Sequence, residues 1–310
     1  MRDQSTLKPA SHAAHAIADL WWVLFVISVI VFFVVVTLLL VAVLRRRGGG
    51  EPDRSASRGG TRLVAIAGVV VPAVVVIALF FASVATLPAV SPAGKNARMT
   101  IDVVGRQWFW EVRYPGTKAV TANEIHIPVG TRVNLVGKTD DVIHSFWVPE
   151  LNRKVDLIPG QTTRILLEAD QPGTYRGQCA EYCGLQHAHM AMYVIAQSPA
   201  QFRTWLAHEA KPAQPQQGAP SPGFQAFNAE NACSGCHTVR GTNAHGDVGP
   251  DLTHVASRLT LAAGTIPNRP ADLLEWIRDP QHVKPGARMP NLDLSDEQFR
   301  QIATYVEGLK

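Results

Sequence analysis

Charge is scarce in this chain: 17% of its 310 residues are Asp, Glu, Lys or Arg, whereas 46% are hydrophobic. That balance is more apolar than soluble domains usually show, so part of the chain is expected to lie in lipid. Cysteine is scarcer still. Four residues are too few for a disulfide scaffold, and they fall into two tight pairs, Cys179 with Cys183 and Cys233 with Cys236. Paired thiols at such spacing point to metal or cofactor chemistry. Glycine and proline, at 24 and 21 residues, are too dilute for a fibrous or mainly disordered protein. Basic residues are not spread along the chain either: six arginines against Glu51 and Asp53 between positions 45 and 62 account for the whole net charge of +4. No nucleic-acid partner is expected.

Two long uncharged runs are present, Trp21 to Leu44 and Leu63 to Leu87, the second interrupted only by Gly68 and Pro72. Each is long enough to cross about 30 Å of hydrocarbon as a helix. A signal peptide fits the first run poorly, because its apolar stretch exceeds the usual length of about 7–15 residues and no small-residue cleavage site follows. Pro72 is expected to mark a kink packed against another protein. Positive-inside bias places the arginine-rich loop in the cytoplasm and both termini outside. Neither run contains an ionisable side chain, so neither offers a proton path of its own.

Beyond the second run, short apolar stretches alternate with turns at Pro115-Gly116, Pro159-Gly160 and Pro172-Gly173. They read as an all-β sandwich with strands at Met99–Tyr114, Glu124–Val136, Val142–Val148, Thr162–Glu168, Thr174–Cys179 and Met192–Ala196. Ser198-Pro199 opens a short helix, and Lys211 to Gly223 has the composition of a linker. The last 85 or so residues switch to helical patterning, at Phe224–Ala232, Leu252–Ser257, Ala271–Arg278 and Asp296–Leu309. So small a domain needs a staple. The expected organisation is an outer segment 1–20, membrane helices 21–44 and 63–87 around a cytoplasmic loop 45–62, a β domain 98–209, a linker 210–222 and a small all-α domain 223–310.

The run Cys179-Ala-Glu-Tyr-Cys183-Gly-Leu-Gln-His187-Ala-His-Met190 gathers two thiols, an imidazole and a thioether. Soft sulfur with imidazole suits copper in an electron-transfer site, and a second cysteine allows two sulfurs to bridge a pair of ions. A second copper needs a second histidine. His144 in Asp141-Val-Ile-His144-Ser is the candidate, whereas His126 in mid-strand and His189 between ligands read as structural. A disulfide would leave His187 and Met190 without a role, and zinc has no use for the methionine.

Together with Pro172-Gly-Thr-Tyr-Arg-Gly-Gln-Cys179, these motifs resemble those of cytochrome c oxidase subunit II, two helices followed by a cupredoxin domain with dinuclear copper A. The resemblance implies that Cys179 and Cys183 bridge the coppers, that His144 and His187 are terminal ligands, and that Met190 and the carbonyl of Glu181 bind weakly. It also implies that the Glu181 side chain reaches a magnesium ion at the contact with subunit I. In Gly105-Arg-Gln-Trp108-Phe-Trp110, Trp108 would be the residue through which electrons enter from a cytochrome c, while Trp110 reads as packing. The family often carries a glutamate early in the second helix that starts a proton route. Leu63 to Val71 has none, so that role falls to no residue here.

Cys233-Ser-Gly-Cys236-His237 is the signature of covalent haem c: two thiols add across the vinyl groups and the histidine becomes an iron ligand. A redox dithiol would not need His237. Met289, in Gly286-Ala-Arg-Met289-Pro, is the candidate sixth ligand, with His245, His254 and His282 as alternatives. Gly249-Pro-Asp-Leu252 and the helix around Trp276 resemble the haem-wrapping segments of class I cytochromes c. The covalent haem would be the missing staple.

The combined resemblance implies a subunit II with a fused cytochrome c domain, in a bacterial plasma membrane with both soluble domains on the periplasmic face. Electrons would pass from haem c to copper A and on to subunit I, where dioxygen is reduced. Its partners would be subunits I and III, membrane lipid, and an external donor, either a cytochrome c or a quinol–cytochrome c reductase complex. A quinol oxidase subunit lacks these copper ligands, and nitrous oxide reductase carries a large catalytic domain absent here. A membrane-tethered copper carrier has no need of haem. A copper A subunit of a nitric oxide reductase remains the alternative.

Overall fold

The computed structural model describes residues 4–46, 58–91, 97–213, 221–229 and 232–310. Most of the arginine-rich loop and the middle of the linker lie outside the described residues. The chain divides into two compact units, His15–Val90 and the remainder.

Within the first unit, helix α1 (His12–Arg46) carries the first apolar run, and the second is carried by α2 (Arg58–Ala65), a π-helical turn (Ile66–Val70) and α3 (Val71–Val90). Both are long and apolar enough to cross a membrane. A bilayer offers no partner for backbone polar groups, which makes a continuous helix the natural state of such runs. Two of their hydroxyls turn inward: Ser28 Oγ donates to the Leu24 carbonyl and Thr86 Oγ1 to that of Ala82. The irregularity expected at Pro72 falls on the turn just before it. There the Val71 amide reaches back five residues to Ile66, one way a helix accommodates a residue that lacks an N–H. The helices run further than 21–44 and 63–87, so the outer segment 1–20 is itself helical from His12. Ser11 caps α1 by accepting from the Ala14 amide at 3.0 Å.

The second unit holds two domains. In the first, ten strands form two sheets. One has the order β3 (Val120–Ala122), β2 (Phe109–Arg113), β1 (Met99–Arg106), β5 (Val133–Thr139), β8 (Thr163–Leu167). The other has the order β4 (Glu124–Pro128), β10 (Ala191–Gln197), β9 (Gly173–Cys179), β6 (His144–Trp147), β7 (Val155–Leu157). The β1–β5 and β4–β10 pairings are parallel, so the chain crosses between sheets as a Greek-key-like sandwich does. Alternate residues such as Ile101 and Val103 face inward and meet Ile125, Leu135, Phe146, Leu157 and Val194 in one core. Trp110, wholly buried, lies edge-on to both Phe146 and His144 with centroids 5.9 Å apart. Removing such a side chain would cost about 3–5 kcal/mol.

Two expected long strands are in fact pairs: Met99–Tyr114 breaks between β1 and β2, and Glu124–Val136 breaks at Gly130, whose φ of 67° closes the turn. Helix α4 (Pro199–Glu209) begins with a reciprocal capping box between Ser198 and Gln201. It stacks Trp205 on His126 at 3.8 Å, the structural role expected of that histidine.

The C-terminal domain contains α5 (Pro222–Phe227), α6 (Pro270–Arg278), α7 (Pro280–Val283) and α8 (Asp296–Glu307), with Phe227, Leu273, Ile277, Phe299, Ile302 and Val306 in its core. It is not purely helical: Thr238–Val239 pairs with Ala244–His245, and Thr260–Leu261 with Ile266–Pro267. The helix expected at Leu252–Ser257 is only a 3-10 turn, Val255–Ser257. The linker is also shorter than 210–222. Ala213 is buried and its amide donates to the Arg240 carbonyl at 2.8 Å, while Ser221 already caps α5.

Candidate metal centre and haem pocket

Strand β6 supplies His144, the end of β9 supplies Cys179, and the loop before β10 supplies Glu181, Cys183, His187 and Met190. These six residues meet at one end of the sandwich. His144 Nδ1 lies 3.8 Å from Cys179 Sγ, His187 Nδ1 lies 3.6 Å from Cys183 Sγ, and Met190 Sδ lies 3.8 Å from Cys183 Sγ. The Glu181 carbonyl is 3.2 Å from Cys179 Sγ. Both thiols are free and buried, and Met190 is wholly buried. His189, the expected bystander, turns aside to Gln186 Oε1 at 2.7 Å.

Asp141 escaped the sequence reading, although it stands three residues before His144. Its Oδ1 lies 2.8 Å from His144 Nε2. A carboxylate only accepts, so Nε2 carries a proton, which leaves Nδ1, on the sulfur side, as the nitrogen available to a metal. Burial pushes the Asp141 carboxyl up, but hydrogen bonds from His144 and the Gln107 and Val142 amides more than offset it and bring its pKa to about 2. Burial lowers and Asp141 raises the pKa of His144, with a net upward shift. The two thiols are tightly coupled. A hydrogen bond from the Cys183 thiol helps to hold Cys179 down at about 3, while donating that bond and being buried push Cys183 well up. Donors of this kind, sulfur and imidazole with one thiol poised as thiolate, fit soft or borderline copper.

The second site is a cavity lined by Cys233, Cys236, His237 and Met289, with Trp276 and Leu252 among its walls. A 3-10 turn, Cys233–Gly235, brings the His237 amide onto the Cys233 carbonyl at 2.9 Å. His237 Nδ1 lies 2.8 Å from the Pro250 carbonyl. A carbonyl cannot donate, so Nδ1 is protonated and Nε2 is the bare nitrogen. Burial holds this imidazole below its ordinary pKa. Any side chain at Gly249 would collide with the His237 ring. An apolar cavity with two thiols, a neutral histidine and a thioether on its walls fits a covalent haem. His245, His254 and His282, the alternatives to Met289, are not among the lining residues.

Gln107, Trp108 and Phe109 of the sandwich form part of that cavity's wall. Trp108 Nε1 donates to the Cys183 carbonyl at 2.9 Å, and Gln107 Nε2 does so at 2.8 Å. Trp108 therefore faces the haem pocket and bonds to the copper loop at once. The two domains are further joined by Arg288 to Gln107 Oε1 at 2.9 Å, by Gln186 to the Pro285 carbonyl, and by the Ala191 amide to the Ala263 carbonyl at 2.9 Å. Ala262 and Ala263 adopt φ of 50° and 58°, left-handed conformations costing about 1–3 kcal/mol each, on the loop that makes this contact.

A cupredoxin-like sandwich with a sulfur–imidazole cluster, a small domain whose cavity fits a covalent haem, and two helices long and apolar enough to cross a membrane define a multidomain protein of the copper- and haem-binding class. Comparison with known proteins narrows the class. The family described as "Cytochrome C oxidase subunit II, periplasmic domain" matches residues 116–197, and the family "Cytochrome c" matches residues 221–310. "Cytochrome c oxidase subunit 2" of Alkalihalophilus pseudofirmus is 38% identical over 212 residues, 68% of this chain and 61% of that one. The protein of the same name from Apis florea is 30% identical over 156 residues, 44% of this chain and 69% of that one. The solved periplasmic domain of subunit II of cytochrome oxidase from Bradyrhizobium japonicum is 29% identical and covers 36% of this chain and 94% of that one, at a TM-score of 0.35. The chain belongs to the cytochrome c oxidase subunit II family. It spans about three fifths of the length of the first two curated relatives, at 61% and 62%.

Proposed function

We propose that this chain is the electron-transfer subunit of a haem-copper cytochrome c oxidase. Cys179 and Cys183 would bridge two coppers, with His144 and His187 as terminal ligands and Met190 and the Glu181 carbonyl as weak ones. Cys233 and Cys236 would bind haem c covalently, with His237 and Met289 on its iron. When bound, these groups supply one-electron exchange, from an external donor through haem c and copper A to subunit I, where dioxygen is reduced to water.

The protein's own residues hold and insulate the groups. Asp141 orients His144, Pro250 orients His237, and Trp110, Phe146 and Met190 keep water from the sulfurs, which favours small reorganisation on electron transfer. The observation that carries the reading is Trp108, which walls the haem cavity and donates to the copper loop. With haem and copper bound, Trp108 would be the single side chain that links the two sites.

The exposed Glu181 carboxylate is the proposed magnesium contact toward subunit I. Subunit III, lipid and a cytochrome c or a quinol–cytochrome c reductase complex complete the proposed partners. The helices and the arginine-rich loop support a bacterial plasma membrane with both soluble domains outside.

Electron paramagnetic and optical spectra of the full copper-loaded chain test the proposal. Expected are the hyperfine pattern of one unpaired electron shared by two copper nuclei and a sharp reduced haem c band. A single-copper pattern would overturn the dinuclear assignment.

A further inference from the structure

Away from both redox sites, a third gathering of metal-ligating side chains spans the domain boundary. His208 and Glu209 end α4, the last helix of the sandwich domain, and His254 leads into the 3-10 turn Val255–Ser257 of the haem domain. One ligand atom of each lies within 4.8 Å of the other two. Glu209 is 3% and His254 2% exposed, while His208 opens to solvent.

Two polar atoms in this cluster are orphans. Glu209 Oε1 and His254 Nδ1 are buried without a hydrogen-bond partner, a condition that costs about 1–3 kcal/mol per group and calls for a reason. The other nitrogen of His254, Nε2, lies 3.0 Å from the Lys211 carbonyl. Because a carbonyl only accepts, Nε2 carries a proton, and in the neutral ring Nδ1 is then the bare nitrogen. One ring nitrogen fixed on a backbone carbonyl and the other left bare is the usual arrangement of a metal-binding imidazole. The His208 and His254 rings, with centroids 4.7 Å apart and tilted by 51°, are close without stacking.

We propose that His208, Glu209 and His254 form a zinc-type divalent cation site that staples the end of the sandwich domain to the haem domain. Two imidazoles and one carboxylate are borderline donors suited to zinc, and the open side at His208 leaves a fourth position for water. The absence of sulfur sets the site apart from both cysteine clusters.

Arg240, Arg258 and Lys211 lie in the neighbourhood and are matched by three carboxylates, Glu209, Asp251 and Glu124. Arg240 pairs with Asp251 at 3.3 Å, and Arg258 is balanced first by Glu209 and then by Asp251 and Glu124. Among the described residues no salt bridge closes on Glu209, so its orphaned Oε1 stays open to a cation. The position suits a staple, since Arg240 already donates to the Glu209 carbonyl at 2.7 Å and the His254 imidazole to that of Lys211.

The test uses the full copper- and haem-loaded chain in detergent, titrated with zinc chloride and dialysed. Expected are one zinc retained per chain and a zinc absorption edge showing a nitrogen and oxygen shell without sulfur. His208→Ala, at an exposed position, and the isosteric Glu209→Gln should each weaken zinc binding at least about tenfold, the lower bound seen when even an outer partner of a metal ligand is lost. Their copper and haem spectra should be unchanged. No retained zinc, sulfur in the shell, or parental affinity in both variants would overturn the site.

Discussion

Lys284 Nζ donates to the Trp108 carbonyl at 2.9 Å, from the haem domain to the residue whose indole bonds to Cys183. The same ammonium donates to the Ala262 carbonyl at 3.0 Å. It is 3% exposed, and among the described residues no carboxylate pairs with it. Carbonyl dipoles alone compensate the charge, which is incomplete solvation for an ion taken out of water. Burial accordingly brings its pKa down to about 7.

That position makes docking pH-dependent. A chain with Lys284 released to water titrates near the ordinary 10.5, so between about 7 and 10.5 the unfolded chain binds more protons than the folded one. Stability should therefore rise with pH across that window and be lowest below it. Lys284→Met should flatten the slope. Thermal unfolding midpoints of the loaded chain at several pH values between 7 and 10.5, parent against variant, check this; parallel curves would refute it.

Trp108→Phe keeps a six-membered aromatic ring but loses the rest of the indole, including the Nε1 donor to the Cys183 carbonyl. The lost hydrogen bond alone should cost about 1 kcal/mol of stability, with a further loss of packing, while both spectra are retained and reduction of copper by the attached haem slows. Flash-induced electron transfer in the full chain measures the rate. A parental rate would move the electron route off this indole.

Gly105 lies against the His144 ring: a Cβ there would sit 2.9 Å from Cδ2 and 3.1 Å from Cγ. Gly105→Ala must push the imidazole away, and overpacking of this kind costs about 1–3 kcal/mol. The copper hyperfine pattern should change or disappear while the haem c band stays as it was. An unaltered copper signal would show that the ring is not held against β1.

Much of both sites is legible because their residues are local. Cys179 to Met190 spans one loop and Cys233 to His237 a single turn, so spacing along the chain is spacing in the site. His144 needs a second motif, and Met289 stands out as a candidate because it is the one methionine after Met192. Asp141 was overlooked although near in sequence, since its role depends on which imidazole nitrogen faces the sulfurs. Lys284 and Gln107 act across 176 and 76 residues respectively, distances over which pattern is silent. The strand breaks at Gln107-Trp108 and Gly130 were missed because aromatic and β-branched residues continue on both sides. The extent of the linker was misjudged for a different reason: Pro and Gln composition does not report that Ala213 hydrogen-bonds to Arg240.

The sixth haem ligand is the sharpest remaining test. Met289 lines the same cavity as Cys233, Cys236 and His237, whereas His254 is tied to Lys211 and neither His245 nor His282 reaches the cavity wall. A thioether on the iron raises the reduction potential relative to a second imidazole. Leucine at position 289 matches methionine in bulk, so the pocket should stay filled and the two thioether bonds to the haem should form as before. Met289→Leu should then lower the haem potential while covalent haem content remains parental. Redox titration of the full chain, with haem content measured in parallel, gives both quantities. An unchanged potential with haem attached would assign the iron to a histidine that must first move into the cavity.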